Sequence, residues 1–397
     1  PFKEVRLRMA YDAFEHRAPG RDREEFEAFR SAHAGWLPDF ALYCALKKAN
    51  GGRAWTEWEP DLRTRQTAAL KATARALASE VAYHEFVQFV FDRQWRRLRA
   101  RCEAHGIGLI GDIPIFAPPD SADVWARQDL FDIDPDGRPR TVAGVPPDAF
   151  NDNGQLWGHP QYRWEAHRAE GYRWWIDRIR SSFSRFHAVR IDHFVGFHRT
   201  WAIPAGAPTA REGTWRPGPG AEFFEALAAA CGPLELIAED LGIVPPEVDA
   251  LRDRFDFPGI RVFQFGGPSS EIHLPHCYPR RCLAATGTHD NDTSRGWYES
   301  LWDPKFREFI DRYLGDGPPS IPWDMIKAVL ASQADTVIIP LQDFLALGTE
   351  ARMNRPGEAW GNWEWRLPED ALTADLAQRI RHWTQETGRS GPSSTRF

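Results

Sequence analysis

The sequence has 397 residues, of which 42% are hydrophobic, and its formal net charge is −7. This length and apolar content suffice for one large domain or for two to three average ones. The mild charge, with no basic block, argues against a nucleic-acid partner. We expect no membrane span, because no apolar run reaches about 18 residues, and no signal peptide. Five scattered cysteines without metal-ligand spacing predict no metal site and indicate a reducing cytoplasm.

The first part of the chain has a helical pattern. Over residues 80–103, apolar side chains recur three and four positions apart, which places them on one helix face. Residues 1–106 are therefore predicted to form a helical subdomain. The sequence starts with Pro1 rather than Met, and we expect that an N-terminal part of the full protein precedes it.

Strand patterns alternate with helical patterns over residues 107–397. We count about six apolar strands, which predicts an α/β fold of the (β/α)8 TIM-barrel type with its first two strands absent from this chain. The alternative is an open doubly wound sheet. The glycines of residues 106–111 formally match the dinucleotide fingerprint of that alternative. They follow a helix and lie within the strand itself, so the match is rejected.

A long insertion is predicted at residues 116–186. Its stretches 142–150 and 154–160 are rich in glycine and proline, with aromatic residues interspersed. Loops of this length inside a domain are usually lids or binding loops. We therefore predict an active-site loop here, followed by a helix over about 166–186.

Three of the predicted strands end in acidic residues: Asp192, Glu239 and Asp290. The carboxyl ends of barrel strands converge on one mouth, so these carboxyl groups are expected to meet. Arg190 shares a strand face with Asp192 and keeps that carboxylate ionised. Taken alone, this pair is explained equally well as a structural ion pair.

Three carboxylates are expected at one mouth, with no set of metal ligands beside them, and the chain contains 18 Trp and 25 Phe. This combination favours glycosidic-bond chemistry. In retaining enzymes, one carboxylate attacks the anomeric carbon and an acid about 5–5.5 Å away protonates the leaving oxygen. Asp192 suits the nucleophile. Glu239 follows an apolar strand that should raise its pKa, which suits an acid/base. Asp290 is placed to hold sugar hydroxyls as the ring distorts.

These strand ends and several loops carry motifs of a known family. The motifs are Arg190-x-Asp192-His193, Ile237-Ala238-Glu239-Asp240-Leu241-Gly242, Gly287-Thr288-His289-Asp290-Asn291-Asp292-Thr293, Gly111-Asp112-Ile113-Pro114-Ile115, Asp120-Ser121-Ala122-Asp123-Val124-Trp125, Val145-Pro146-Pro147-Asp148, Gly154-Gln155-Leu156-Trp157-Gly158 and Gly361-Asn362-Trp363. Together they strongly resemble the amylomaltase family of 4-α-glucanotransferases, glycoside hydrolase family 77 of the α-amylase clan. The resemblance covers nearly the whole chain.

The resemblance implies a retaining transferase that moves α-1,4-glucan segments to glucose, maltose or another glucan, without cofactor or metal. By motif match, the nucleophile falls on Asp192, the acid/base on Glu239 and the transition-state stabiliser on Asp290. The implied substrate-binding residues are Arg190, His289, Asp112, Asp148, Phe150, Gln155, Trp157, Asn354 and Asn362. Residues 107–397 would then form barrel strands three to eight.

Two alternatives to the transferase remain open at this point. The first is an α-glucan hydrolase of the same clan, and the second is an inactive fragment that binds glucans. Individual residues also have structural explanations. Asp112 would brace the strand ends rather than contact sugar, Trp157 would pack rather than stack, and Asp240 would cap the turn after Glu239.

Overall fold

The computed structural model describes residues 2–147, 152–315, 320–358 and 360–390. The chain forms two compact units, Pro1–Leu234 and Glu235–Phe397. Over the described ranges, every helix is too short or too polar to cross a membrane.

The first unit contains helices and two kinds of sheet. Its helices are α1 Phe2–Arg17, α2 Gly20–Ala32, α3 Leu37–Ala49, α4 Pro60–Arg63, α5 Thr67–Ala76, α6 Ala78–Ala104, α7 Ala122–Ala126, α8 Trp164–Ala169, α9 Arg173–Phe183 and α10 Ala221–Cys231. Its strands are β1 Ile110–Ile113, β2 Thr141–Val145, β3 Gln155–Pro160, β4 Ala188–Ile191, β5 Arg199–Pro204 and β6 Thr214–Pro217.

The N-terminal helices share an aromatic core. The apolar face predicted for α6 packs against α1 and α2, as its three- and four-residue spacing requires. The buried members of this core are Tyr11, Phe26, Phe29, Leu37, Tyr83, Phe86 and Phe89. Beside them lies Glu85, 5% exposed, whose Oε2 is 2.9 Å from Nε of Arg30. Burial raises the pKa of Glu85, and Arg30 opposes that rise.

Strands β1 and β4 pair in parallel, with Asp112 opposite Arg190. The other strands of the first unit form an antiparallel sheet in the order β3-β2-β5-β6. The prediction of loops at residues 142–150 and 154–160 was therefore wrong over β2 and β3. At Gly144, a Cβ would lie 2.1 Å from the carbonyl oxygen of Gln155, so this glycine permits close strand pairing rather than a turn.

The single helix predicted over residues 166–186 is instead two helices, α8 and α9. The chain between them passes through Gly171, with φ of 65°, and Tyr172, with φ of 57°. Two successive left-handed residues cannot continue a right-handed helix. The glycine was visible in the sequence, whereas a left-handed tyrosine was not expected there.

The second unit repeats strands and helices. Its elements are β7 Leu236–Ala238, α11 Pro246–Arg254, β8 Gly259–Val262, β9 Cys282–Ala285, α12 Ser294–Glu299, α13 Pro304–Leu314, α14 Trp323–Leu330, β10 Thr336–Ile338, α15 Leu341–Phe344 and α16 Ala374–Glu386. Strands β8, β9 and β10 pair in parallel, with β9 in the middle. Helices α13 and α14 cover β9 with a core that includes Phe263, Tyr278, Ile310, Met325 and Val329.

All the apolar runs predicted as barrel strands form strands at their expected places. The α/β class is confirmed. The domain boundary at residue 106, the insertion limits 116–186 and the absence of two barrel strands stay predictions.

Replacing Phe89 with Ala should lower the free energy of unfolding by about 3–5 kcal/mol, because the ring is 1% exposed and its loss leaves a cavity. Urea denaturation followed by circular dichroism measures this change. Phe91→Ala, in the same helix but 47% exposed, is the matched control and should cost much less. Equal losses in the two variants would contradict the assignment of this core.

Candidate active site

One arginine holds two carboxylates at the ends of neighbouring strands. Nη1 of Arg190 lies 2.6 Å from Oδ2 of Asp112, and Nη2 lies 2.9 Å from Oδ1 of Asp192. The parallel register makes this possible, because it places Asp112 directly opposite Arg190. The Arg190 side chain is 15% exposed, whereas each carboxylate is 43% exposed. The predicted ion pair is confirmed, and Asp112 braces it.

The residue after Asp192 places an aromatic group beside the strand end. His193 has a left-handed φ of 51°, and its ring packs edge-on against Trp157 with centroids 4.7 Å apart. Nε1 of Trp157 donates a 3.1 Å hydrogen bond to Oε1 of Gln155. The two predicted substrate-binding residues of β3 are thus linked to the residue that follows Asp192. His193 was not predicted to be this contact.

Burial lowers the pKa of His193 to about 4. The imidazole is therefore neutral at neutral pH and adds no positive charge beside Asp192. Two other predicted binding residues, Asp148 and Phe150, lie outside the described residues.

In the second unit, Glu239 and Asp240 follow β7 and serve different purposes. Oε1 of Glu239 accepts a 3.0 Å hydrogen bond from the backbone N–H of Leu241. The Asp240 side chain is 2% exposed, forms ion pairs with Arg252 and Arg261, and accepts a 2.7 Å bond from the N–H of Ile260. The expectation that Asp240 caps the turn was wrong, since Glu239 makes the bond within the turn.

Asp290 is held by a segment more than sixty residues downstream. Nδ2 of Asn354 donates a 2.6 Å hydrogen bond to Oδ1 of Asp290, and the backbone N–H of Asn354 donates to the carbonyl of His289 at 3.1 Å. Arg352 donates to the carbonyl of Asp290 at 2.7 Å. Nε2 of His289 lies 3.5 Å from Oδ2 of Asp290. His289, Asp290 and Asn354, all among the predicted site residues, lie together, although the contact of Asn354 with Asp290 and that of Arg352 were not predicted.

Asn362 lies in the same downstream segment but braces the loop itself. Its Oδ1 accepts from the N–H of Arg355, and its Nδ2 donates to the carbonyl of Glu358, both at 2.8 Å. The next residue, Trp363, is 58% exposed and lies with its ring centroid 5.1 Å from that of His289. Trp363 belongs to the motif Gly361-Asn362-Trp363 and offers an aromatic surface beside His289, but it was not among the predicted substrate-binding residues.

Over the described ranges, no three His, Cys, Asp or Glu side chains are grouped as a metal ion would require. The residues found at the strand ends are instead half-exposed carboxylates accompanied by aromatic rings. Carboxylates at the carboxyl ends of parallel strands are typical of α/β enzymes that act on glycosidic bonds.

Comparison with known proteins agrees with this class of enzyme. The profile of the family described as 4-alpha-glucanotransferase matches residues 1–373. A 4-alpha-glucanotransferase from Thermus thermophilus is 46% identical, over 96% of this chain and 78% of the relative. One from Synechocystis sp. is 42% identical, over 98% of this chain and 78% of the relative.

The solved structures give the same result. An amylomaltase from Streptococcus agalactiae in complex with acarbose superimposes with a TM-score of 0.92 at 34% identity, over 97% of this chain and 78% of that one. An amylomaltase from Corynebacterium glutamicum, 18% identical, shares the fold with a TM-score of 0.76 over 98% of this chain and 59% of that one. The chain belongs to the 4-alpha-glucanotransferase family, and the predicted resemblance is confirmed.

The half-buried His193 should make stability depend on pH. The unfolded chain binds a proton near pH 6.5, whereas the folded protein binds it only near pH 4. Stability therefore rises with pH across this window and is lost as pH falls through it, by at most about 1.4 kcal/mol per pH unit. His193→Asn, which tolerates the left-handed backbone, should flatten this dependence.

Urea unfolding at several pH values between these limits measures the slope. His167 and His273, whose pKa values burial also lowers to about 4, remain in the variant, so the flattening is partial. The exposed His382, replaced by Asn, is the control and should leave the slope unchanged. An unaltered slope in His193→Asn would show that this imidazole is protonated in the folded protein.

Proposed function

We propose that this protein is a retaining 4-α-glucanotransferase that transfers segments of α-1,4-glucans, such as maltooligosaccharides and amylose, to glucose, maltose or another glucan. The observation that carries the proposal is the orientation of Asp192 by the forked Arg190, at the end of a parallel strand in a chain of this family. A reducing cytoplasm, expected from the scattered free cysteines, is the proposed location.

In the first half-reaction, a carboxylate oxygen of Asp192 attacks the anomeric carbon of the donor sugar. Glu239 gives its proton to the glycosidic oxygen, whose bond to that carbon breaks. The shortened glucan leaves with a new 4-hydroxyl, and the donor segment remains as a glycosyl ester on Asp192. Arg190 favours this step by fixing the direction of the Asp192 carboxylate, since correct orientation of the nucleophile removes part of the barrier.

In the second half-reaction, the 4-hydroxyl of an acceptor sugar attacks the same carbon from the opposite face. Glu239, now ionised, takes the hydroxyl proton, and the bond to Asp192 breaks. Two inversions at the anomeric carbon retain the α configuration. Water in place of the sugar hydroxyl would give hydrolysis, so exclusion of water favours transfer.

Asp290 is proposed to stabilise the distorted donor ring through hydrogen bonds to its hydroxyl groups. Asn354 supports this role, because its amide fixes one oxygen of Asp290. His289 is held beside Asp290 by the same residue. We assign Asn354 to orienting Asp290 and Asn362 to shaping the loop, rather than to sugar contacts alone.

The remaining binding residues are proposed from the surfaces they offer. Trp157 is half-buried, and with Gln155 it lies near the strand end that carries Asp192. A flat indole ring packs well against the apolar face of a sugar. Asp112 forms an ion pair with Arg190, so its main proposed role is to orient this arginine. Asp148 and Phe150 are proposed sugar contacts by family resemblance alone.

Incubation with maltotriose should yield glucose together with longer maltooligosaccharides, as chromatography of the products would show. Asp192→Asn and Asp290→Asn should abolish the reaction, and Glu239→Gln should slow it by about 10²–10⁴-fold, the usual contribution of a general acid/base. Asp335→Asn, an exposed carboxylate of the second unit, is the control and should keep wild-type activity.

Other outcomes of the maltotriose assay would indicate a different function. Rising reducing ends without longer products would identify a hydrolase. Dextrin binding without turnover by the wild-type chain would identify a glucan-binding protein.

The covalent step can be observed directly. With α-maltosyl fluoride as donor, the leaving group needs no proton, so Glu239→Gln should still form the ester but release it slowly. Mass spectrometry should then find one maltosyl group on the peptide that contains Asp192, and none in the Asp192→Asn protein. A label on a different carboxylate would overturn the assignment of the nucleophile.

A further inference from the structure

A buried carboxylate that the reaction does not use lies in the second unit. Asp343, in the short helix α15, is 1% exposed. Its Oδ2 accepts hydrogen bonds of 2.6 Å from the hydroxyl groups of both Thr286 and Ser294. Its Oδ1 accepts a 2.7 Å bond from the backbone N–H of Ser294. Burial raises the pKa of Asp343, and these donors oppose the rise.

The partners of Asp343 stand at the two ends of one segment. Thr286 is the first residue after β9, and Ser294 is the first residue of α12. Both are fully buried. Between them lie His289 and Asp290. A single carboxylate therefore closes the base of the loop that presents Asp290.

Other contacts fix the interior of this loop. Oδ1 of Asn291 accepts from both the N–H and the hydroxyl of Thr288, at 2.9 and 2.8 Å. Gln264 donates to the backbone carbonyl of Asp292 at 2.9 Å. Gln264 also bonds the start of the loop, because its backbone N–H donates to the carbonyl of Thr286 at 3.3 Å. Among the hydrogen bonds described, those to Asp343 join Thr286 to Ser294, and those of Gln264 join Thr286 to Asp292. Asp343 is the side chain that ties the end of β9 to the start of α12, on either side of Asp290.

We propose that Asp343 is a positioning residue for transfer, which acts by holding residues 286–294 so that Asp290 meets the transition state. This inference rests on the proposed function. It assigns the effect of Asp343 to hydrogen-bond geometry rather than to its charge, because each of its partners is a neutral donor.

Two substitutions of Asp343 separate the effect of hydrogen-bond geometry from that of charge. In Asp343→Asn, Oδ1 still accepts from the N–H of Ser294, and the amide N–H groups can donate to the two hydroxyls, which accept as readily as they donate. In Asp343→Leu, which has a similar volume, all three bonds are lost. The expected result is near wild-type kcat for Asp343→Asn.

For Asp343→Leu we expect kcat to fall by about 100-fold, the cost of misplacing a catalytic group by about 1 Å. KM for maltotriose should change less than kcat, because Asp290 is proposed to act on the distorted ring of the transition state, while His289 in the same loop is a proposed contact in the ground state. The control is Ile310→Ala, which creates a cavity in the buried core of the same unit and so lowers stability without touching the loop. It should lower the unfolding temperature while leaving kcat near wild type.

Three results would overturn the proposal. Equal loss in Asp343→Asn and Asp343→Leu would mean that charge is what matters. A fall in kcat in Ile310→Ala as large as that in Asp343→Leu would mean a general loss of stability. Wild-type kcat in Asp343→Leu would mean that residues 286–294 keep their conformation without this residue.

A second measurement is independent of activity. Hydrogen exchange read by mass spectrometry should show faster exchange over residues 286–294 in Asp343→Leu, with the helix α16 unchanged. Unchanged exchange in the loop overturns the positioning role whatever the catalytic result. Failure of the proposed function is recognised separately, by absence of transfer in the wild-type protein alongside the expected change in exchange.

Discussion

The bridge from Arg190 to Asp112 and Asp192 is the interaction on which the candidate site residues of the first unit depend. It joins two adjacent strands through one side chain, and it does so because the parallel register puts Asp112 opposite Arg190. A guanidinium can hold two carboxylates at once with fixed angles between its N–H groups, which a lysine ammonium cannot. The Arg190 side chain is mostly buried while the two carboxylates are half-exposed, so the arginine is enclosed by protein and the acids are accessible to solvent.

The second unit orients its carboxylate with different chemistry. Asp290 receives an amide N–H from Asn354, and its own carbonyl accepts from Arg352, so the side chain is held from a loop rather than from a neighbouring strand. Behind it, Asp343 ties the base of the loop with neutral donors. The Asn354 amide fixes the direction of the Asp290 carboxylate without itself adding a positive charge. If Asp290 has the role proposed above, a neutral donor leaves its negative charge effective toward the developing cationic sugar.

The sequence predicted the features that depend on local pattern. Apolar runs that end in an acid gave the strands before Asp192, Glu239 and Asp290, because a buried parallel strand must be apolar on both faces. It failed where a local pattern has two explanations. The glycines of residues 142–160 favour a loop, yet Gly144 serves close pairing of β2 with β3. It also could not reveal partners distant along the chain, such as Asn354 for Asp290, since any polar residue in a loop is an equally good candidate.

Glu239 and Asp240 show why residue type alone does not assign a role. They are adjacent acids after the same strand, and successive side chains of a strand point to opposite sides. Asp240 enters the interior, where Arg252 and Arg261 compensate the cost of burying its charge. Glu239 instead bonds to the N–H of Leu241, two residues on. The arginine pair that makes Asp240 an anchor for β8 and α11 also commits its carboxylate. This is the structural reason for proposing Glu239, rather than Asp240, as the acid/base.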